Sequence, residues 1–162
     1  MGIQKKNNST PQNRYRLMWN DVKYEPGTVK VVAFDSNGKI AAESEIKTAG
    51  DPYKIVLNAD RQTVKADGED ISFVTISVVD KNGIPCPTAI NELKFKVTGA
   101  ATYRAACNGD ATSLEIFHEN KMKLFSGKLV VLVKAVKNPG AIQLEVTGKG
   151  LQKGKINLKS EL

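Results

Sequence analysis

Short runs of β-branched and aromatic residues constrain the fold of this chain more than any other feature of its sequence. The runs have the length of β-strands and are separated by clusters of Gly, Pro, Asn and Asp. They occupy residues 29–34, 71–79, 93–97, 129–136, 142–146 and 156–158. No segment keeps an apolar helical stripe over three turns, although we expect one short helical turn within residues 112–124. The sequence therefore predicts an all-β protein.

A four-residue motif, D-x-N-G, occurs twice in matching places. Asp35-Ser36-Asn37-Gly38 follows the run that ends at Phe34, and Asp80-Lys81-Asn82-Gly83 follows the run that ends at Val79. An Asp can accept hydrogen bonds from the turn backbone, and an Asn or Gly can adopt the positive φ that a tight connection between strands requires. The repetition indicates two related β-sandwich modules in tandem.

The junction between the two modules is expected near Gly50 and Pro52, because these residues favour a break between strands. Residues 51–162 hold about eight short strands, enough for a complete immunoglobulin-like sandwich. Residues 1–50 hold too few to close a sandwich. Their three expected strands lie at residues 14–19, 28–34 and 39–46. We therefore expect residues 1–50 to be the C-terminal part of a truncated module. Its open strand edge should lead either to pairing between copies of the chain or to poor order before Arg14.

The acidic residues do not form a catalytic or metal-binding pattern. A glycosidase needs two carboxyl groups about 5–10 Å apart across a sugar, whereas Asp67-Gly68-Glu69-Asp70 is typical of a turn. Asn108-Gly109-Asp110 has the same character, and neither stretch has the spacing of a calcium loop. His118 is the only histidine, and no nucleophile motif accompanies it. The sequence predicts no catalytic residue, no metal ligand and no cofactor.

The positive charge of the chain is spread along its strands. Lys and Arg outnumber Asp and Glu by 24 to 17, which gives a net charge of +7. Alternation such as Lys94-Phe95-Lys96-Val97 places lysines on the outer face of a half-buried strand. Aromatic residues make up only 6% and do not interleave with basic ones, as a reader of single-stranded nucleic acid requires. No apolar run is long enough to cross a membrane. We predict neither a nucleic-acid partner nor a membrane partner.

Trp19 and Tyr15 are the candidate sugar contacts of this chain. With Leu17 they alternate along one expected strand, so that all three would lie on the same face. Exposed, the two rings could form a stacking platform for a sugar. Buried, they would form the core of the first module, and a single Trp in a sandwich strand more often has this structural role.

The two cysteines, Cys86 and Cys107, are too few and too far apart in the sequence for a zinc site. One alternative is a disulfide between them. The interpretation that we favour is two small, half-buried apolar residues, and the sequence leaves their pairing open.

Two successions of residues resemble the C-terminal modules of bacterial glycoside hydrolase family 2 enzymes of the β-galactosidase type. The first succession comprises the pattern W-x-x-V-x-Y-x-P-G at residues 19–27, the run 29–34, the first D-x-N-G motif and Lys47-Thr48-Ala49-Gly50. The second resembles the last immunoglobulin-like domain of the same enzymes. It comprises Leu57, Asp60-Arg61, Ala66-Asp67-Gly68, residues 70–75, the second D-x-N-G motif, Gly99, Asn108-Gly109-Asp110, Phe125, Gly127 and Gly150-Leu151. The resemblance covers about residues 10–160, and the two modules follow each other in the same order as in the family.

This resemblance implies a non-catalytic, structural region of an enzyme that hydrolyses O-glycosyl bonds in carbohydrate metabolism. In that family the catalytic glutamates lie in a central barrel upstream of these modules, and no position of this chain matches their motifs. The resemblance therefore assigns no catalytic residue here. It implies that the partners are the catalytic barrel and other domains of the parent enzyme, and that the parent is periplasmic or secreted.

Two other functions stay open at this point. An Ala-Asp-Gly triplet at residues 66–68, before a Val- and Thr-rich strand and a D-x-N-G motif, also resembles the immunoglobulin-like repeats of invasin-like bacterial adhesins. The third function is a carbohydrate-binding module that uses Trp19 and Tyr15.

Overall fold

The computed structural model describes residues 2–162. The chain divides into two compact units, which we call unit 1 (residues up to Thr48) and unit 2 (Ala49–Leu162). The secondary structure is almost entirely β, which confirms the predicted fold class. No helix in the described residues is long and apolar enough to cross a membrane.

In its described residues, 2–48, unit 1 contains one helical turn and one β-hairpin. The turn, α1, spans Pro11–Tyr15, and the hairpin joins β1 (Thr28–Phe34) to β2 (Ile40–Lys47) in antiparallel pairing. Thr48 closes the open end of the hairpin, because its Oγ1 accepts a hydrogen bond from the N–H of Gly27 at 3.0 Å. The two strands leave large apolar side chains exposed on their surface, among them Val29, Val31 and Ile46.

The expected strand at residues 14–19 is wrong. Thr10 caps the helical turn, because its Oγ1 accepts a hydrogen bond from the N–H of Asn13 at 3.1 Å, and Pro11 fits the first helical position. Tyr15 ends this turn, and Trp19 lies in the irregular segment that follows it. The two aromatic residues therefore do not share a strand face.

Unit 2 is a sandwich of nine strands in two sheets. One sheet has the strand order β4-β11-β10-β6-β8 and the other has the order β3-β5-β9-β7. All named pairs are antiparallel except β11 with β4. The strands are β3 (Lys54–Ala59), β4 (Thr63–Lys65), β5 (Ile71–Val79), β6 (Glu92–Gly99), β7 (Ala101–Cys107), β8 (Lys121–Lys123), β9 (Lys128–Ala135), β10 (Gly140–Gly148) and β11 (Gly154–Glu161).

Alternation along the strands builds the core of unit 2. In β5, Val74, Ile76 and Val78 point inward, and they belong to the same buried cluster as Leu93 and Leu144 of the opposite sheet. The predicted outward orientation of lysines is confirmed in β6, where Lys94 and Lys96 are exposed while Phe95 is buried. Burial of such inward rows is the main favourable contribution to folding of a sandwich.

Residues 112–124 contain no helix, contrary to the expected helical turn. Their ordered part is the short strand β8, which pairs with β6. Before it, the segment 117–120 runs across the edge between the sheets. There the Ala106 N–H donates to the Phe117 carbonyl at 2.8 Å, and the Phe95 N–H donates to the Asn120 carbonyl at 2.8 Å. Pairing with strands of both sheets outweighs the weak helical pattern of this segment.

The two D-x-N-G motifs form the same loop. In each, the Asp carboxylate accepts hydrogen bonds from residues two and four positions on: Asn37 and Lys39 at 2.8 and 2.9 Å from Asp35, and Asn82 and Ile84 at 2.8 Å each from Asp80. Gly38 and Gly83 have φ values of 79° and 81°, which a side chain would strain. The predicted tight turns are confirmed.

Asp80 also accepts a hydrogen bond from a residue outside its D-x-N-G loop. Its second carboxylate oxygen accepts a hydrogen bond from the N–H of Gly50 at 2.8 Å, and the Asp80 side chain is buried. Hydrogen bonds from Gly50 first, and then from Ile84 and Asn82, hold the pKa of Asp80 below its ordinary value. The first residues of unit 2 are therefore tied to the loop that follows β5.

Gly127 allows a close backbone approach at the same end of unit 2. Its φ is 72°, and a Cβ at this position would overlap the carbonyl oxygen of Cys86. The carbonyl of Gly127 accepts a hydrogen bond from the N–H of Val78, and the N–H of Gly127 donates to the Ala89 carbonyl. The turn before β9 is thereby joined to the segment that follows β5.

Replacing Asp80 by Asn should destabilise unit 2 most at neutral pH. A carboxylate with a lowered folded-state pKa adds stability above its unfolded value of about 4, and this stability is lost as the pH falls below that value. The side chain of D80N would keep one acceptor oxygen, but its NH2 group would face the N–H of Gly50. Two donors would then meet where the carboxylate accepts a hydrogen bond. We expect a lower urea midpoint for D80N than for the unmodified chain at pH 7, and a smaller difference between the two at pH 3, where protonation of Asp80 has begun to remove its contribution. An equal difference at both pH values would contradict this role, and D35N should leave the unit 2 transition unchanged.

Replacing Gly127 by Ala should destabilise unit 2 by at least about 3 kcal/mol, since backbone overlap adds to the cost of positive φ. The matched control is G109A, at a glycine with φ of 79° and no atoms within 4 Å of the added Cβ. That change should cost only the conformational penalty of about 1–2 kcal/mol. Equal losses in urea unfolding would show that the close approach at Gly127 does not matter.

Candidate functional site

A cavity of about 330 Å³ beside Trp19 is the candidate ligand site of unit 1. It lies where the chain leaves α1 and runs irregularly toward β1. Its lining combines one indole with amide, carboxylate and aliphatic side chains. The lining residues are Gln4, Met18, Trp19, Asn20, Asp21 and Val22.

Hydrogen bonds to the N-terminal segment fix one wall of this cavity. The Gln4 amide nitrogen donates to the carbonyl of Met18 at 2.5 Å, and its amide oxygen accepts from the Met18 N–H at 3.3 Å. The indole N–H of Trp19 donates to the carbonyl of Gly2 at 3.1 Å. Trp19 is half-buried, so its ring is held in place while part of it faces solvent.

Tyr15, the other residue singled out for sugar stacking, does not line the cavity. Its side chain is 71% exposed, and the guanidinium of Arg14 lies 5.5 Å from its ring centroid. The structure thus separates Trp19 and Tyr15 and adds Gln4 and Asp21, which sequence reasoning missed. The pair Thr10-Pro11, a helix start signal, could have shown that residues 14–19 are not a strand.

The acidic residues of unit 2 are used by their own turns. The Asp67 carboxylate accepts hydrogen bonds from the N–H groups of Glu69 and Asp70 at 2.8 Å each, and these hold its pKa below its ordinary value. Hydrogen bonds from the side chain and backbone of Thr112 lower the pKa of Asp110 in the same way. Residues 66–68 form a bend, and Asn108-Gly109-Asp110 leads into the turn at residues 111–112, so both stretches lie in connections between strands. A general acid needs a raised pKa, whereas the pKa values of Asp67 and Asp110 are lowered.

Asp60 is also structural. Burial raises its pKa, but hydrogen bonds from the Phe73 N–H, the Ser72 hydroxyl and Arg61 outweigh burial and leave the pKa lowered. The hydroxyl of Ser72 is 3.0 Å from the Asp60 carboxylate and is fully buried. This group therefore anchors the loop after β3 to strand β5.

Tyr103 and His118 secure the segment that crosses between the sheets. The Tyr103 hydroxyl donates to the carbonyls of Phe117 and Glu119 at 2.9 and 2.6 Å, and burial raises its pKa to about 12. Its ring stacks on Phe95 with centroids 5.8 Å apart. His118 Nδ1 lies 3.1 Å from the carbonyl of Arg104. The single histidine contacts backbone and no candidate nucleophile, so it has the environment of a loop histidine.

The two cysteines are free. Cys86 is buried, with Sγ 3.6 Å from the carbonyl of Gly50, and burial raises the pKa of its thiol. Cys107 is exposed. Across residues 2–162, no group of three or more His, Cys, Asp or Glu side chains is placed to hold a metal ion.

Comparison with known families gives two matches along the chain. Residues 55–157 match the model of glycoside hydrolase family 2 C-terminal domain 5. Residues 1–42 match a domain of unknown function, DUF4982. The first match covers most of unit 2.

Individual proteins give the same result. The chain is 43% identical over 140 residues to the β-galactosidase BoGH2A of Bacteroides ovatus. This match covers 86% of this chain and 16% of that protein. A glycosyl hydrolase family 2 member from Bacteroides cellulosilyticus superposes with a TM-score of 0.82 at 30% identity, over 87% of this chain and 18% of its own. A β-glycosidase from Bacteroides vulgatus gives a TM-score of 0.78 at 33% identity, over 85% of this chain and 18% of its own. This chain thus spans less than a fifth of the length of these relatives, and it belongs to glycoside hydrolase family 2, whose C-terminal domain 5 forms its second unit.

Proposed function

We propose that this chain is a non-catalytic accessory region of a β-galactosidase-type glycosidase that hydrolyses O-glycosyl bonds. The observation that carries the proposal is the match with BoGH2A, which includes 86% of this chain but only 16% of the β-galactosidase. Most of such an enzyme lies outside the matched region. The partners of this chain would then be the catalytic barrel and the other domains of the same polypeptide.

The chemistry of the acidic residues supports a non-catalytic role. Hydrolysis of a glycoside needs a raised-pKa acid and a second carboxylate on opposite sides of the sugar. Asp67, Asp80 and Asp110 instead have lowered pKa values and accept hydrogen bonds from turn N–H groups. The cavity beside Trp19 has one carboxylate in its lining, that of Asp21. Such an arrangement favours structural roles for these side chains.

The domain organisation proposed here is a partial module at residues 1–50 followed by a complete sandwich at residues 51–162. The exposed apolar side chains of β1 and β2, Val29, Val31 and Ile46, support the first part. In the parent enzyme they would be covered by further strands of the same module. In the isolated chain the open edges of this hairpin would pair between copies.

The family membership favours the hydrolase over an adhesin. An immunoglobulin-like sandwich by itself serves both classes, because fold does not determine function. The 43% identity to a β-galactosidase along both units of this chain is specific to the first class.

Hydrolysis assays with the isolated chain and the complete polypeptide test the proposal. We expect the complete polypeptide to release nitrophenol from nitrophenyl β-galactoside, or from a related β-glycoside, and the isolated chain to release none above buffer. The physical reason is that the cavity beside Trp19 has a single carboxylate, Asp21, in its lining, whereas hydrolysis of a glycoside needs two carboxyl groups. Hydrolysis by the isolated chain that is lost in D21N would contradict the proposal, and so would an inactive complete polypeptide across a panel of β-glycosides.

A second candidate function is binding of a sugar ring at Trp19. The cavity favours it, since a held indole beside Asn20 and Asp21 offers one stacking face and several polar partners. This function would add a ligand to the accessory region without making it catalytic.

Fluorescence tests this function, because Trp19 is the only tryptophan. Titration with galactose and galactosides should shift the Trp19 emission until it saturates. The affinity obtained from this titration should fall at least about tenfold in D21A, because the sugar loses a polar partner. Tyr15→Ala is the matched control and should leave the titration unchanged. A flat response to all sugars would remove this function.

A further inference from the structure

The end of unit 2 that holds its first residues differs from the opposite end in the large apolar side chains that it exposes. Ile90, Leu114 and Phe125 are 73%, 97% and 46% exposed. We call these three residues the N-proximal surface. The opposite end is formed by residues 60–62, 66–70, 100 and 136–139 and by the end of β11. Its large exposed apolar side chain among the described residues is Leu162.

Hydrogen bonds join the loops that carry the N-proximal surface. The Asn108 side-chain amide donates to the Lys123 carbonyl at 3.1 Å, and the Lys123 N–H donates to the Glu115 carboxylate at 3.0 Å. The N–H of the next residue, Leu124, donates to the Asn91 carbonyl at 3.0 Å. The loops around residues 90, 114 and 125 are thus connected through these bonds, and little ordering entropy remains to be lost when the surface is covered.

Further contacts place this surface beside the start of unit 2. The Gly127 N–H donates to the Ala89 carbonyl at 3.0 Å, and the Gly127 carbonyl accepts from the Val78 N–H at 3.1 Å. The Val78 carbonyl accepts from the N–H of Cys86, whose Sγ contacts the Gly50 carbonyl at 3.6 Å. These contacts therefore join residues 50, 86, 89 and 127 at one end of unit 2. The polypeptide that precedes unit 2 leaves from this end.

The outer face of the five-stranded sheet is a poorer surface for stable docking. It carries exposed lysines on β6 and β8, and Lys94 and Lys121 stand directly opposite each other in the register. Charged side chains are depleted at the centre of protein interfaces, whereas rigid apolar anchors are enriched there. Of these two described surfaces of unit 2, the N-proximal surface has the composition of an interface core.

We propose that the N-proximal surface docks unit 2 onto the preceding catalytic part of the parent glycosidase. This inference rests on the proposed function, and it names the surface and the occupant. The occupant is favoured because more than four fifths of each matched glycosidase lies outside the region this chain covers. That length supplies a tethered partner at high effective concentration, which a second copy of the chain does not have.

Calorimetry of the isolated chain and the complete polypeptide tests the docking. A partner that binds only the folded unit raises its unfolding temperature, so the unit 2 transition should occur at a higher temperature in the complete polypeptide. Leu114→Ser and Phe125→Ser should remove most of that increase. In the isolated chain, Leu114→Ser should leave the transition unchanged, since the side chain is already in water.

Matched controls come from side chains of equal exposure elsewhere on unit 2. Leu162 is 100% exposed at the opposite end, and Phe73 is 46% exposed on the outer face of β5. Leu162→Ser and Phe73→Ser should shift the transition equally in the isolated chain and in the complete polypeptide. A calorimetric readout does not require enzyme activity, so docking and the proposed hydrolase function can fail separately.

Three results would overturn the docking. The first is an equal unit 2 transition temperature in the isolated chain and the complete polypeptide. The second is an increase that survives in L114S and F125S. The third is a dimer of the isolated chain, seen by sedimentation velocity, that L114S dissociates while V31K does not. That dimer would assign the surface to a second copy, whereas a dimer lost only in V31K uses the hairpin of unit 1 and agrees with the docking.

Discussion

A single ionised carboxylate, that of Asp80, holds the first residues of unit 2 against the loop after β5. One of its oxygens closes the D-x-N-G loop through Asn82 and Ile84, and the other accepts the N–H of Gly50. Charge-assisted hydrogen bonds of this kind are the stronger ones in proteins. Cys86 and Gly127 pack in the same neighbourhood and connect it to β5 and β9. The position at which the preceding polypeptide reaches the sandwich therefore depends on this carboxylate.

Local patterns in the sequence predicted the parts of the fold that local chemistry determines. The predicted strand-length runs at residues 29–34, 71–79, 129–136 and 142–146 became β1, β5, β9 and β10. Both D-x-N-G motifs became the same loop, held by its aspartate. The strand expected at residues 14–19 failed because Thr10 and Pro11 start a helical turn there. The helical turn expected within 112–124 failed because that segment pairs with strands of both sheets, which is a contact between residues distant in the sequence.

The candidate site could be predicted only in part. The sequence identified Trp19 but placed Tyr15 beside it, and it gave no sign of Gln4 or Asp21. The cavity forms because the N-terminal segment folds back on residues 18–19 through Gln4 and Gly2, and no periodic pattern records such a contact. The N-proximal surface escaped prediction for a similar reason. Ile90, Leu114 and Phe125 lie in three separate loops that only the hydrogen bonds of the folded unit bring to one end.

If the rest of a family 2 glycosidase covers the N-proximal surface of unit 2, the loops that carry this surface should be protected from solvent in the complete polypeptide. Amide hydrogen exchange, followed peptide by peptide in the isolated chain and in the complete polypeptide, measures this protection. We expect slower exchange in the complete polypeptide for loops 88–91, 108–116 and 124–127, with unchanged exchange in β10 and β11. Equal exchange of these loops in the two samples would contradict the assignment of this chain as a docked accessory region.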